Sequence, residues 1–110
     1  MNLGEPSQKK EIRRMAARIG ALFHPDKIIL FGSHARGEAR PDSDVDLLVV
    51  MPVRGSKREL ALRIDLSVHD LGISRDIVVT SSRDFESRKD VVGTIEWPAS
   101  REGVVLYARA

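Results

Sequence analysis

The chain has 110 residues, 42% of them hydrophobic and 31% charged, which suits a single folded domain over 1–110 and excludes both a disordered chain and a second core of ordinary size. Its 18 basic and 16 acidic residues leave a formal charge of +2, too small a surplus to mark a nucleic-acid binder. The chain has no cysteine, no signal-peptide core at its N-terminus and no apolar run long enough to span a bilayer, so thiolate metal sites are excluded and a cytoplasmic location is expected.

Ser7 is a candidate helix cap. Ile12, Met15, Ala16, Ile19, Leu22 and Phe23 then recur at helical spacing, with Lys9, Lys10, Arg13, Arg14 and Arg18 on the opposite face. A solvated surface accounts for these cations, and docking of an acidic partner is the alternative. His24-Pro25-Asp26 ends the helix, and Lys27 to Phe31 reads as a short strand broken by Gly32-Ser33. Ser33 to Gly37 has room for one or two helical turns before a loop from Glu38 to Ser43. Asp44 to Met51 is the most strand-like segment. Beyond Asp46 it is apolar on both faces, as a strand covered twice should be.

Pro52 to Gly55 is a loop, and Ser56 opens an amphipathic helix running to Leu71, with Leu60, Ala61, Ile64, Val68 and Leu71 inward and Gly72 as its stop. Arg75 to Thr80 reads as a third strand, and Ser82 is placed to cap a short helix through Lys89. Val91 to Ser100 is partly helical in pattern, against which Pro98 counts. Gly103 to Tyr107 reads as a last strand or an apolar turn. Strands separated by helices predict an α/β (α+β) layer, a small sheet with helices packed on one face.

The chemistry concentrates between Phe31 and Val50. Asp44 and Asp46 are two apart on a strand, so they share a face at a Cα separation of about 7 Å. Carboxylates so placed repel unless a cation lies between them or one is protonated. Oxygen donors favour Mg²⁺ or Mn²⁺, whereas His24, His34 and His69 have no zinc-site spacing. Asp76 heads its own strand as Asp44 does, so adjacent strands could bring three acids together. Three carboxylates around two ions are a recurrent device for in-line attack on a phosphoryl group. Gly32-Ser33, following a strand, offers close backbone approach and a hydroxyl for a phosphate.

Gly32-Ser33, ten intervening residues, then Asp44-Val45-Asp46 is the G-S-x10-D-x-D signature of the DNA polymerase β-like nucleotidyltransferase superfamily. The string FGSHARGEARPDSDVDLLVV closely resembles the minimal nucleotidyltransferases of bacteria and archaea, and the resemblance extends over nearly the whole chain, including RDIVVT and REGVVLY. It implies a palm-like core of mixed sheet and helices. It also implies transfer of a nucleoside monophosphate from a triphosphate, ATP above all, to an acceptor hydroxyl. Asp44 and Asp46 would hold two Mg²⁺ (or Mn²⁺) ions, and Asp76 would complete the second site and serve as the acceptor's base. Gly32 and Ser33 would contact the triphosphate, and Arg36 could reach a phosphate as well. Position 34, often basic in relatives, is His here, and Trp97 and Pro98 depart from the family's last helix.

The resemblance implies a helical HEPN-domain partner encoded nearby, since minimal nucleotidyltransferases commonly pair with one, and a role as antitoxin of a type VII-like toxin–antitoxin pair that adenylylates a tyrosine of the partner. Two other functions fit the residues: a non-catalytic antitoxin that masks its partner by contact, and a nucleotidyltransferase acting on a small molecule. With one Trp and one Tyr the chain has too few aromatics for a stacking platform on single-stranded nucleic acid.

Overall fold

A computed structural model of the chain describes residues 5–110, with side chains from Gln8 onward. In chain order the elements are α1 (Glu5–Phe23), β1 (Lys27–Phe31), α2 (Ser33–Arg36), β2 (Val45–Val50), α3 (Lys57–Ser67), a 3₁₀ turn (His69–Leu71), β3 (Arg75–Thr80), α4 (Ser82–Arg88), α5 (Glu96–Glu102) and β4 (Val104–Ala108). The four strands form one mixed sheet in the order β3-β2-β1-β4. β1 runs antiparallel to both β2 and β4, while β2 and β3 are parallel and are joined through α3.

Alternation along β2 divides the core. Val45, Leu47 and Val49 pack with Ile28 and Leu30 of β1 against Ile12, Met15 and Ile19 of α1, Ile64 of α3 and Val68 just after it. Leu48 and Val50 pack with Ile29 and Phe31 against Phe85 of α4 and Ala99 of α5. The two long helices thus share one face, as the one-face layer expects. The short α4 and α5 lie on the other face, and this second cover is why β2 carries apolar residues in both directions.

Several boundaries differ from the sequence reading. α1 begins at Glu5, before Ser7, so Ser7 is not its cap; Pro6 is tolerated in the first turn, where backbone N–H groups lack helical partners. Leu22 faces outward, 59% exposed, although the helical spacing counted it inward; His24, with a φ of +50°, follows the last helical residue. The cap of α4 is Ser81, not Ser82: its hydroxyl accepts from the Asp84 N–H at 3.1 Å. Pro98 sits in the first turn of α5, where its missing N–H removes no bond. Ser56 caps α3 as its sequence predicts, accepting from the Glu59 N–H.

Candidate active site

The parallel register of β2 and β3 makes Asp46 and Asp76 Cα partners, and the antiparallel register of β1 and β2 sets Phe31 on the other side of Asp46. Since alternate residues share a face, Asp44, Asp46 and Asp76 all point to the side of the sheet that carries α4 and α5. Asp44 and Asp76 are exposed and Asp46 is half-buried. The three candidate acids therefore stand together on one end and one face of two neighbouring strands.

β1 ends at Phe31, and the chain turns at once through Gly32 (φ +76°) into α2. A Cβ built at Gly32 would overlap the carboxylate of Asp46. Glycine is needed here twice over, for the left-handed φ and for the space the Asp46 side chain occupies. Ser33 opens α2, and Gly37 closes it in the left-handed conformation. The loop that follows is tied back by His34, whose Nε2 lies 3.2 Å from the Ser43 carbonyl.

Burial raises the pKa of the Asp46 carboxyl above its ordinary value, and the charges of Asp76 and then Asp44 add to the effect; His34 and Arg36 oppose it. The residue between the other two acids is thus the one whose negative charge is least comfortable. Asp44 accepts a hydrogen bond from the Ser74 hydroxyl. Among the described residues Asp76 has no ion pair; Arg75 is turned to Asp65 instead, at 2.7 Å. The three carboxylates do not converge on one point, and among the described residues no group of three or more acids or histidines is arranged as a ready metal cage.

Arg36 lies close enough to lower the Asp46 pKa, but its guanidinium is engaged, with Glu38 at 2.8 Å and Glu102 of α5 at 2.9 Å. These partners, Glu38 first, hold its own pKa above the ordinary arginine value. The sequence reading missed Ser74 and Glu102. Ser74 was recoverable from a parallel register, since pairing of Val45 with Arg75 sets residue 44 beside residue 74. Nothing local signals Glu102, whose contact with Arg36 spans 66 positions. A cavity of about 220 Å³ opens beside Ser43, Val45 and Ser74, reaching His34 and Ile12 on the α1 side; none of the three acids lines it.

The family model of the nucleotidyltransferase domain matches residues 10–101. No curated protein sequence matches the chain. Among solved structures, a protein of Sulfolobus solfataricus assigned as a nucleotidyltransferase is 19% identical at a TM-score of 0.60, over 96% of this chain and 85% of that one. A toxin–antitoxin structure with AMP-PNP is 20% identical at a TM-score of 0.57, over 87% and 73%. The tri-AMPylated HEPN toxin of Shewanella oneidensis in complex with MNT antitoxin is 21% identical over 96% and 71%, at a TM-score of 0.39 that bears no argument. The first two share this chain's fold. No helix among the described residues is long and apolar enough to cross a membrane.

Proposed function

The chain belongs to the nucleotidyltransferase domain family, and from that membership we propose that it transfers AMP from ATP to a hydroxyl of a protein acceptor, working as one domain over 1–110. The observation that carries this reading is the pairing of Asp46 with Asp76 on adjacent parallel strands, with Gly32 packed against the Asp46 carboxylate.

The donor set suits a hard divalent cation, since it consists of carboxylate oxygens with no sulfur or paired histidine. Asp46 fits that role: its carboxyl is pushed up by burial and by two neighbouring acids, a cost that a cation relieves. Asp44 and Asp46 would hold two Mg²⁺ (or Mn²⁺) ions, and Asp76 would complete the second. When bound, such ions supply positive charge against the triphosphate and the charge that develops in phosphoryl transfer. Gly32 lets the triphosphate approach the backbone, and the Ser33 hydroxyl donates to a phosphate oxygen. Asp76 takes the acceptor's proton while the acceptor oxygen bonds to the α-phosphorus; the bond to the bridging oxygen breaks and pyrophosphate leaves. Arg36 joins the phosphates only by releasing Glu38 and Glu102.

The acceptor is a tyrosine of a HEPN-domain helical protein encoded nearby, for which this chain serves as a cytoplasmic antitoxin. The resemblance of residues 31–50 to minimal nucleotidyltransferases supports this assignment, as does a shared fold with a structure described as a toxin–antitoxin with AMP-PNP. The test is incubation with labelled ATP and Mg²⁺, with and without the adjacent-gene helical protein, read by intact mass. Mass gains on the partner in AMP steps, lost in Asp44→Ala/Asp46→Ala, are expected. Complex formation without any gain would make the chain a masking antitoxin instead.

A further inference from the structure

Among the described residues β3 lies at the edge of the sheet and pairs only with β2. The N–H of Val45 donates to the carbonyl of Ser74, and that of Met51 to the carbonyl of Thr80. In a parallel ladder alternate residues direct both backbone groups to the same neighbour. Ser74, Asp76, Val78 and Thr80 therefore face β2, while Arg75, Ile77 and Val79 turn their N–H and C=O groups outward. No loop or side chain among the described residues hydrogen-bonds the outward groups of Ile77 or Val79. Val79 is 4% exposed, and unpaired backbone groups in such a place are costly to leave unmet.

Val79 borders a cavity. About 300 Å³ of space runs beside Val78 and Val79, walled by Lys57, Arg88, Thr94 and Glu96. At the other end of the same strand stands Asp76, exposed and on the face shared with Asp46. The edge thus leads from a groove with unmet backbone groups to the carboxylate assigned as base.

We propose that the acceptor protein adds an extended segment to the free edge of β3 as a fifth strand, and that this pairing delivers its hydroxyl side chain to Asp76. The inference rests on the nucleotidyltransferase reading above and names the form in which its substrate binds. Paired strands lie about 4.8 Å apart, and directly opposed residues project to the same face. A residue opposite Asp76 therefore presents its hydroxyl on the face of the three acids. The ladder at Ile77 and Val79 fixes the register, so a slip of one residue turns that hydroxyl to the other side of the sheet. Lys57 is held by Asp84, whereas Arg88, 50% exposed and 3.9 Å from Glu96, is only loosely paired and favours an acidic residue in the part of the segment that reaches the groove.

The experiment follows backbone amide exchange of the ¹⁵N-labelled chain, free and in complex with the adjacent-gene helical protein, alongside AMP transfer by the same preparation. Exchange at Ile77 and Val79 should slow at least about tenfold in the complex. Ile77→Pro, which removes an outward N–H at an edge where proline is tolerated, should lose at least about tenfold in kcat/KM for the partner while binding AMP-PNP as the unaltered chain does. Transfer by the unaltered chain with no added protection at either amide would overturn the edge pairing and leave the transferase reading standing. No transfer at all would overturn that reading instead. If Ile77→Pro fails to fold, the amide exchange decides alone. A nucleic-acid 3′ hydroxyl accepted in place of the protein, with β3 exchange unchanged, also overturns the pairing.

Discussion

Asp46 and Asp76 face one another across the parallel pair β2–β3 as direct register partners. Like charges directly opposed on neighbouring strands destabilise a sheet, so this pairing sets stability against function at one point. Asp46→Asn should lower AMP transfer by more than about a thousandfold, the scale of several kcal/mol of lost charge stabilisation. The same change should raise the melting temperature at neutral pH without divalent cation. Asp46 has a folded pKa above its unfolded value, so the folded state binds its proton more tightly. That contribution is complete below the unfolded pKa and is lost as pH rises through the folded one. The melting gap between variant and unaltered chain should therefore open as pH rises through that window and close below it. A gap independent of pH would contradict the assignment.

Gly32→Ala places a methyl group into the Asp46 carboxylate at a φ of +76°. Strain and overlap together should cost about 1–3 kcal/mol of folding stability, measured by denaturant titration. AMP transfer should fall further than stability does, because the Asp46 carboxylate must move.

Ser74 donates its hydroxyl to Asp44. Partners that orient a ligating carboxylate typically affect metal affinity by about 10–100-fold. Ser74→Ala should raise the Mg²⁺ concentration needed for half-maximal transfer by about that factor while leaving the melting temperature near its original value. An unchanged Mg²⁺ requirement would show that the serine only decorates the loop.

Thr80 and Glu96 are buried together, with the threonine hydroxyl donating to the carboxylate at 2.7 Å. Thr80→Val removes that donor and leaves the acceptor under-satisfied in the interior, which should cost about 1–3 kcal/mol. The pair joins β3 to the start of α5 far from the acids, so residual activity of the folded fraction should be unaltered. A loss of kcat at full folding would place this pair in the reaction.

Strand positions were legible because apolar runs bounded by glycine, proline and aspartate have few other structures open to them; Lys27–Phe31 and Arg75–Thr80 match their predicted spans. The shared face of Asp44 and Asp46 follows from alternation alone. The place of Asp76 at the head of its own strand also pointed to the other two acids, but the parallel register that makes it the partner of Asp46 is encoded by no local pattern. Helix ends were less legible. Two adjacent serines, Ser81 and Ser82, compete for one cap, and only the path of the chain leaving β3 selects the first. Arg36 reads as a phosphate ligand from its position after Gly32-Ser33, and its capture by Glu102 is invisible because the partner arrives from α5.

β1 is one of the two inner strands of the sheet, yet its second neighbour is recruited from far along the chain: Leu30 pairs with Val104 and Lys27 with Ala108. The stretch that carries Gly32 and all three acids closes over a much shorter span, 32–76. As the chain emerges from the ribosome, every residue of the candidate site is present while one side of β1 still lacks its ladder. Loop-closure entropy makes such a distant pairing a slow step, so folding intermediates should expose β1 to the wrong strands until β4 arrives.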